Sequence, residues 1–350
     1  MRPERGGGML RGMSLLMPAI HRFSGTLEDG VARCESVADA AAVLAHADVP
    51  VEIDVSALNA VHVDPVRRIA WVQPGATWRE LDAAAQEDGL AVTGARLADT
   101  TVVETVLGSG GGWLERRLGL PADNLRAARV LLASGRVVTA SATENADLFW
   151  ALCGGDASLG IVVELELALR PVGPTVLGGM LLWGRDRAPE VVRAYRDLMA
   201  EAPDALCGGL LLYGASVSIM VVYAGAPERG AEHIAPLREL GPLVDAVRPM
   251  DYCAVQALMD RDAGEAAYLD ALGDDAIDAL LASAENAILR PLGGAVARVG
   301  EMETAAGHRC ATWAVAGAGD ALERWSRPAS AERRERLADA KRRWDPEAVF

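Results

Sequence analysis

Cysteine, histidine, long apolar runs and positive charge are all scarce in this chain of 350 residues. The five cysteines, Cys34, Cys153, Cys207, Cys253 and Cys310, are odd in number and far apart. They offer neither a disulfide framework nor the close spacing of a metal site, so no metal is expected. They read as reduced thiols, the state expected in a cytoplasm. No apolar stretch reaches the roughly 20 residues of a membrane-spanning helix. Basic residues number 34 against 49 acidic ones, for a net charge of −15. That balance argues against nucleic acid or an anionic membrane as partner. The apolar run between Met9 and Ile20 lacks a small-residue cleavage site, so residues 1–22 read as a partly disordered leader, not a signal peptide. No repeat and no low-complexity tract is present.

What the chain does have is core. Apolar residues make up 51% of it, enough for two domains and far from a disordered composition. Its first half alternates short strands with short helices. Val51 to Val55, Val61 to Val63 and Ile69 to Gln73 are strand-like, the last ending at Pro74-Gly75. Thr77 followed by Glu80 is a capping-box pattern opening a helix that stops at Gly89. Ala127 to Ala133 and Val137 to Ala140 form a hairpin about Ser134-Gly135-Arg136. Asp147 to Leu152 is helical, and Ile161 to Leu169 alternates as a strand. Pro171-Val172-Gly173-Pro174 marks a boundary. Beyond it, Leu177 to Trp183, Leu206 to Tyr213, Val217 to Tyr223, Gly294 to Val299 and Cys310 to Val315 read as strands. Helices are expected from Pro189, over Ala231 to Glu239, Asp275 to Ala284 and Ser330 to Trp344.

Several words in the sequence occur together in a fixed order. They are VDPVRRIAWVQPGATWRELD, GARLADTTVVETVLGSGGGWLERRLGLPADNL, SGRVVTASATENADLFWAL and LGIVVELELALRPVGP, with GGMLLW, VVYAG, PLGGAVARV and KRRWDPEAVF further on. In this order they resemble the bacterial berberine-bridge-type FAD-linked oxidases of the vanillyl-alcohol-oxidase superfamily. The resemblance implies an α+β fold: a PCMH-type FAD-binding domain of two α+β subdomains, and a substrate domain whose antiparallel sheet is covered by helices. It divides the chain into residues 23–173, 174–325 and a C-terminal helix, 326–350, returning to the first domain.

The same resemblance shows where the chain departs from its family. A desolvated diphosphate needs converging backbone N–H donors. The family's glycine-rich loop, whose histidine often links to the flavin, should interrupt the stretch around Glu52, and it is missing; His46 and His62 stand in a helix and a strand. Glu104 and Ser109 replace glycines before Gly110, Gly111 and Gly112, and no flavin-linking Cys stands there. Asp156 and Ala157 replace glycines after Gly155, with Ser158-Leu159 for the usual Asn-Phe. The added carboxylates would repel a diphosphate. A Tyr-x-Asn strand near the C-terminus is absent. These losses lead to an expectation of no cofactor. Should FAD bind, Gly108, Ser109, Gly110, Gly111, Gly112, Asp123, Asn124 and Ile161 are the residues to hold it.

Without a flavin, hydride transfer has no carrier. The expectation is then a redox-neutral cyclase, a pericyclase acting on a polyketide-like polyene or enone, whose shaped apolar pocket lowers the entropic part of ring closure. The alternatives are a non-covalent FAD-dependent oxidoreductase and a non-catalytic small-molecule binder. Tyr213, Tyr223, Arg290 and Trp313 are the candidate pocket residues, with Tyr252, Cys253 and a His308–Arg309 acid–base pair behind them.

Overall fold

A computed structural model describes residues 25–350 apart from 29, 47–50, 109, 156–157 and 260–265. The expected leader, Ser109, Asp156 and Ala157 lie outside the described residues. In the first half, strands 26–28, 31–33 and 52–54 form a three-stranded sheet. A five-stranded antiparallel sheet runs in the order 61–64, 69–72, 161–168, 125–131, 137–141. The helix Trp78–Gln86 begins as its sequence dictates. Glu80 N–H donates to Thr77 Oγ1, and the Glu80 carboxylate accepts from Thr77 N–H at 2.8 Å. Its buried face, Trp78, Leu81 and Ala85, joins Val72, Leu165 and Leu148 in one core.

The second half is a large antiparallel sheet in the order 244–245, 175–184, 216–223, 206–213, 286–291, 313–316, 266–269, with 248–251 also on 175–184. Side-chain parity explains its near-continuous apolar strands. Val217, Ile219, Val221 and Tyr223 point to one face, together with Leu289, Trp313 and Val315, and pack under the helices Ala188–Glu201 and Asp274–Ser283. Met220, Val222, Cys207 and Ile288 point to the other face, against Trp113 and Leu114 of the first half. The sheet is therefore buried on both sides.

One expected strand is corrected. Residues 294–299 form a turn and a short 3-10 helix, Val296–Arg298, while the strand is Asn286–Pro291. Gly293 and Gly294 have φ of +87° and +53°, which ends strand geometry there. The helix expected over 231–239 is two short ones, Pro227–His233 and Ala235–Glu239. The last helix, Ala331–Trp344, is capped by Ser330 and lies on the first half, where Trp344 Nε1 donates to Asp147 at 3.1 Å. Among the described residues, no helix is long and apolar enough to cross a membrane.

Candidate functional site

A cavity of about 330 Å³ opens where the two halves and the last helix meet. Gly108, at the C-terminal end of the helix Val102–Leu107, stands on its wall together with Gly154 and Gly155, which follow the helix Ala146–Leu152. The second half contributes Tyr268, Arg290 and His308. Leu120, Leu292, Val296 and Leu337 make much of the remaining lining apolar. A second cleft of about 500 Å³ shares His308 and Ser330 with it.

His308 is held unusually firmly. Its φ of +62° is left-handed and costly for a residue with a Cβ. Its N–H donates to Glu301 Oε1 at 3.2 Å, and its ring stacks on Tyr268 at 4.0 Å with an interplanar angle of 3°. Burial pushes the imidazole below its ordinary pKa, and the nearby Arg333 charge acts in the same direction. The ring is thus neutral at pH 7, with one nitrogen able to accept a proton. The expected His308–Arg309 pair does not form. Arg309 turns away and donates to both oxygens of Asp123, at 2.7 and 2.6 Å.

Arg290 is the one residue of the four candidates that reaches the cavity. On its strand it shares parity with Ile288, facing the first half, and its Nη1 donates to both Glu115 oxygens at 3.1 and 3.0 Å. Tyr223 and Trp313 have the opposite parity. Tyr223 stacks on His233 and Trp313 meets Tyr195 edge-on, both in the helix-covered core. Tyr213 stands by the hairpin that joins two strands, with its carbonyl accepting from Ser216. Tyr252 is buried in the seam between halves, and Cys253 is half-buried beside it. Sequence reading passed over Tyr268, Arg333 and Arg334. The first belongs to a strand too short for periodicity to reveal, and the arginines to a helix that reads as a basic surface helix.

The glycine turns are packed by the chain itself. A Cβ on Gly112 would sit 1.5 Å from the Gly94 carbonyl oxygen, and one on Gly111 would sit 2.0 Å from a Glu115 oxygen. The N–H groups of Gly108, Gly110, Gly154 and Gly155 donate to the carbonyls of Glu104, Thr105, Leu152 and Ala151, at 2.9, 3.1, 2.8 and 3.1 Å. Asp123 is bound to Arg309, and Asn124 donates to the Leu118 and Leu120 carbonyls. Ile161 packs with Leu131 and Val163 under the helix Val37–His46. Glu104 is exposed on its helix and does not line the cavity, so its expected repulsion of a diphosphate there is not supported by its position. His46 is exposed and His62 stacks on Trp71; neither lines the cavity.

Residues 35–141 match the family model described as an FAD binding domain. An FAD-linked oxidoreductase of Aspergillus terreus is 31% identical over 237 residues, covering 62% of this chain and 48% of that protein. The (R)-6-hydroxynicotine oxidase of Paenarthrobacter nicotinovorans is 28% identical over 218 residues, covering 59% and 47%. The chain spans about half the length of the curated relatives it matches. Among solved structures, 6-hydroxy-D-nicotine oxidase from Arthrobacter nicotinovorans superposes with a TM-score of 0.78 at 21% identity, covering 95% of each chain. Berberine bridge enzyme from Eschscholzia californica gives 0.77 at 17% identity, covering 100% of this chain and 94% of that one.

Residues 35–141 are of the FAD binding domain type, and the chain shares the fold of the berberine-bridge-like, FAD-linked oxidases. Its fold is of the FAD-binding oxidoreductase type, with the PCMH-type arrangement expected from the sequence. The expectation of no cofactor gains no support from these relatives, which point to FAD. The residues of this site fit that group only in part. The cavity lies within the range of about 300–1,000 Å³ typical of small-molecule sites. A diphosphate, however, needs donors, and four glycine amides at these turns are already bonded within their own turns. These four amides therefore do not cradle a diphosphate, whose donors would have to come from other groups around the cavity.

Proposed function

We propose that the chain is an oxidoreductase of the FAD-linked class, that this cavity is its reaction cleft, and that it holds its flavin without a covalent bond. One observation carries the reading. Two glycine turns far apart in sequence, at Gly108 and at Gly154–Gly155, converge on a single cavity opposite Tyr268, Arg290 and His308 of the second half. FAD, when bound, supplies the electron acceptor that side chains lack. The chain's own part is to orient a substrate against the flat Tyr268–His308 stack and to accept a proton at a neutral imidazole nitrogen.

The bonded glycine amides favour a second reading. The cleft would then hold no flavin and would act by shape, as a redox-neutral cyclase for a polyene or enone. The absorbance spectrum of the purified chain, before and after incubation with excess FAD and desalting, decides between them. Flavin retained at one equivalent supports the oxidoreductase. A colourless protein after both treatments overturns it. The cyclase then stands or falls on a product of unchanged mass.

A further inference from the structure

The cavity's charge is opposite to that of the protein. The chain carries −15, yet the described residues lining the cavity include Arg290, Arg333 and Arg334 and no aspartate or glutamate. Arg290 is matched by Glu115, and Arg333 by Glu301 at 2.7 Å. Arg334 is different. It is exposed, its Nη1 rests on the Ala329 carbonyl at 2.9 Å, and among the described residues it has no carboxylate partner. Arg333 is 7% exposed, and its Nε has no hydrogen-bond partner. A buried donor without an acceptor is unfavourable, so the Arg333 guanidinium has bonding capacity left over beyond its pairing with Glu301.

The face of the last helix that lines the cavity is Ser330, Arg333, Arg334 and Leu337, one stripe at helical spacing. Opposite it lie apolar side chains and the Tyr268–His308 stack. A guanidinium is suited to planar oxyanions, which it can meet with paired N–H donors.

We propose that this cavity binds a small amphipathic anion, whose carboxylate or phosphate faces Arg333 and Arg334 and whose apolar body lies against Tyr268, Leu292 and Val296. The proposal does not rest on the flavin reading, because the cationic stripe belongs to the last helix and not to the glycine turns. It replaces the neutral polyene expected from sequence with a charged ligand.

Calorimetric titration of the whole purified chain tests it, with benzoate, its neutral counterpart benzamide, and inorganic phosphate as probes. Benzoate should bind at least about tenfold more tightly than benzamide, the worth of one charge-assisted hydrogen bond. Arg334→Gln should remove about that factor, and Arg334→Lys should restore part of it. Binding of phosphate without benzoate also supports an oxyanion site and assigns it to a phosphate group. Equal affinity for benzoate and benzamide, or heat from none of the probes, overturns it. FAD is titrated separately by flavin fluorescence, so loss of flavin binding and loss of the anion site are read independently.

Discussion

Two seams hold the halves of this molecule together, and they treat buried polarity in opposite ways. At the first, the four-residue helix Glu115–Leu118 faces the second half. Glu115 receives Arg290, and Arg116 donates to the carbonyls of Leu206, Ala202 and Leu292. Close by, Asp123 receives Arg309. At the second seam, the helix Trp78–Gln86 meets the helix Tyr252–Gln256. Asp82 is 1% exposed and neither of its oxygens has a hydrogen-bond partner; Tyr252 Oη and Gln256 Oε1 are also orphaned. Gln256 Nε2 donates instead to the Ala95 carbonyl at 2.7 Å. A buried charge is tolerable when paired and is otherwise neutralised. The first seam pairs its charges. The second keeps its carboxyl by protonating it, for burial pushes Asp82 up to about 8 despite the nearby Gln256 side chain.

The largest effect should come from unpairing the first seam. Arg309 is 1% exposed and also donates to Thr304 at 2.6 Å. Arg309→Met leaves Asp123 buried and unmatched, and should cost about 3–5 kcal/mol in urea unfolding. Adding Asp123→Leu should recover much of that loss, since what is removed is an unpaired charge and not a net attraction. A cost below about 1 kcal/mol would mean that this seam is wet, and the contrast with the second would collapse.

The second seam should reveal itself in pH. Because the folded state holds the Asp82 proton more tightly than the unfolded chain, stability from this group is fully present below the unfolded value near 4. It is lost as pH rises toward the folded value of about 8. From pH 5 to pH 8 the chain should lose roughly 2–4 kcal/mol through Asp82. Asp82→Asn should flatten that slope and, at pH 8, should be the more stable protein. Parallel slopes for the two proteins would show that Asp82 ionises freely where it lies.

The same contrast separates what could be read in the sequence from what could not. Local signals were legible: the Thr77–Glu80 cap, the turn at Gly135, the Ser330 start of the last helix and the family words that give the fold. Partners across the seams were not, because Glu115 and Arg290 lie far apart in the chain and meet only through packing. Among the candidate residues, one position of strand register decided the outcome. Arg290 faces the first half, while Tyr223 and Trp313 face the helices; aromatic type in a strand cannot say which. The apolar run after Gly294 read as a strand because a left-handed glycine pair carries no hydropathy signal. Arg333 and Arg334 were hidden by a helix whose charge is mostly solvent-facing.

The smallest effect separates helix strength from protonation at the second seam. Thr77 caps the helix that carries Asp82, and its hydroxyl also donates to Glu80 at 2.9 Å. Thr77→Ala removes the side-chain half of the box and should cost about 1 kcal/mol. That loss concerns backbone N–H groups at the helix start, which do not titrate with Asp82. The decrement in unfolding free energy should therefore be the same at pH 5 and pH 8. Asp82→Asn should change sign of effect across that interval if the buried carboxyl is favoured when protonated and costly when charged. If Thr77→Ala also alters the pH slope, the helix itself shifts as Asp82 titrates. The second seam is then a moving contact, in contrast to the fixed first one.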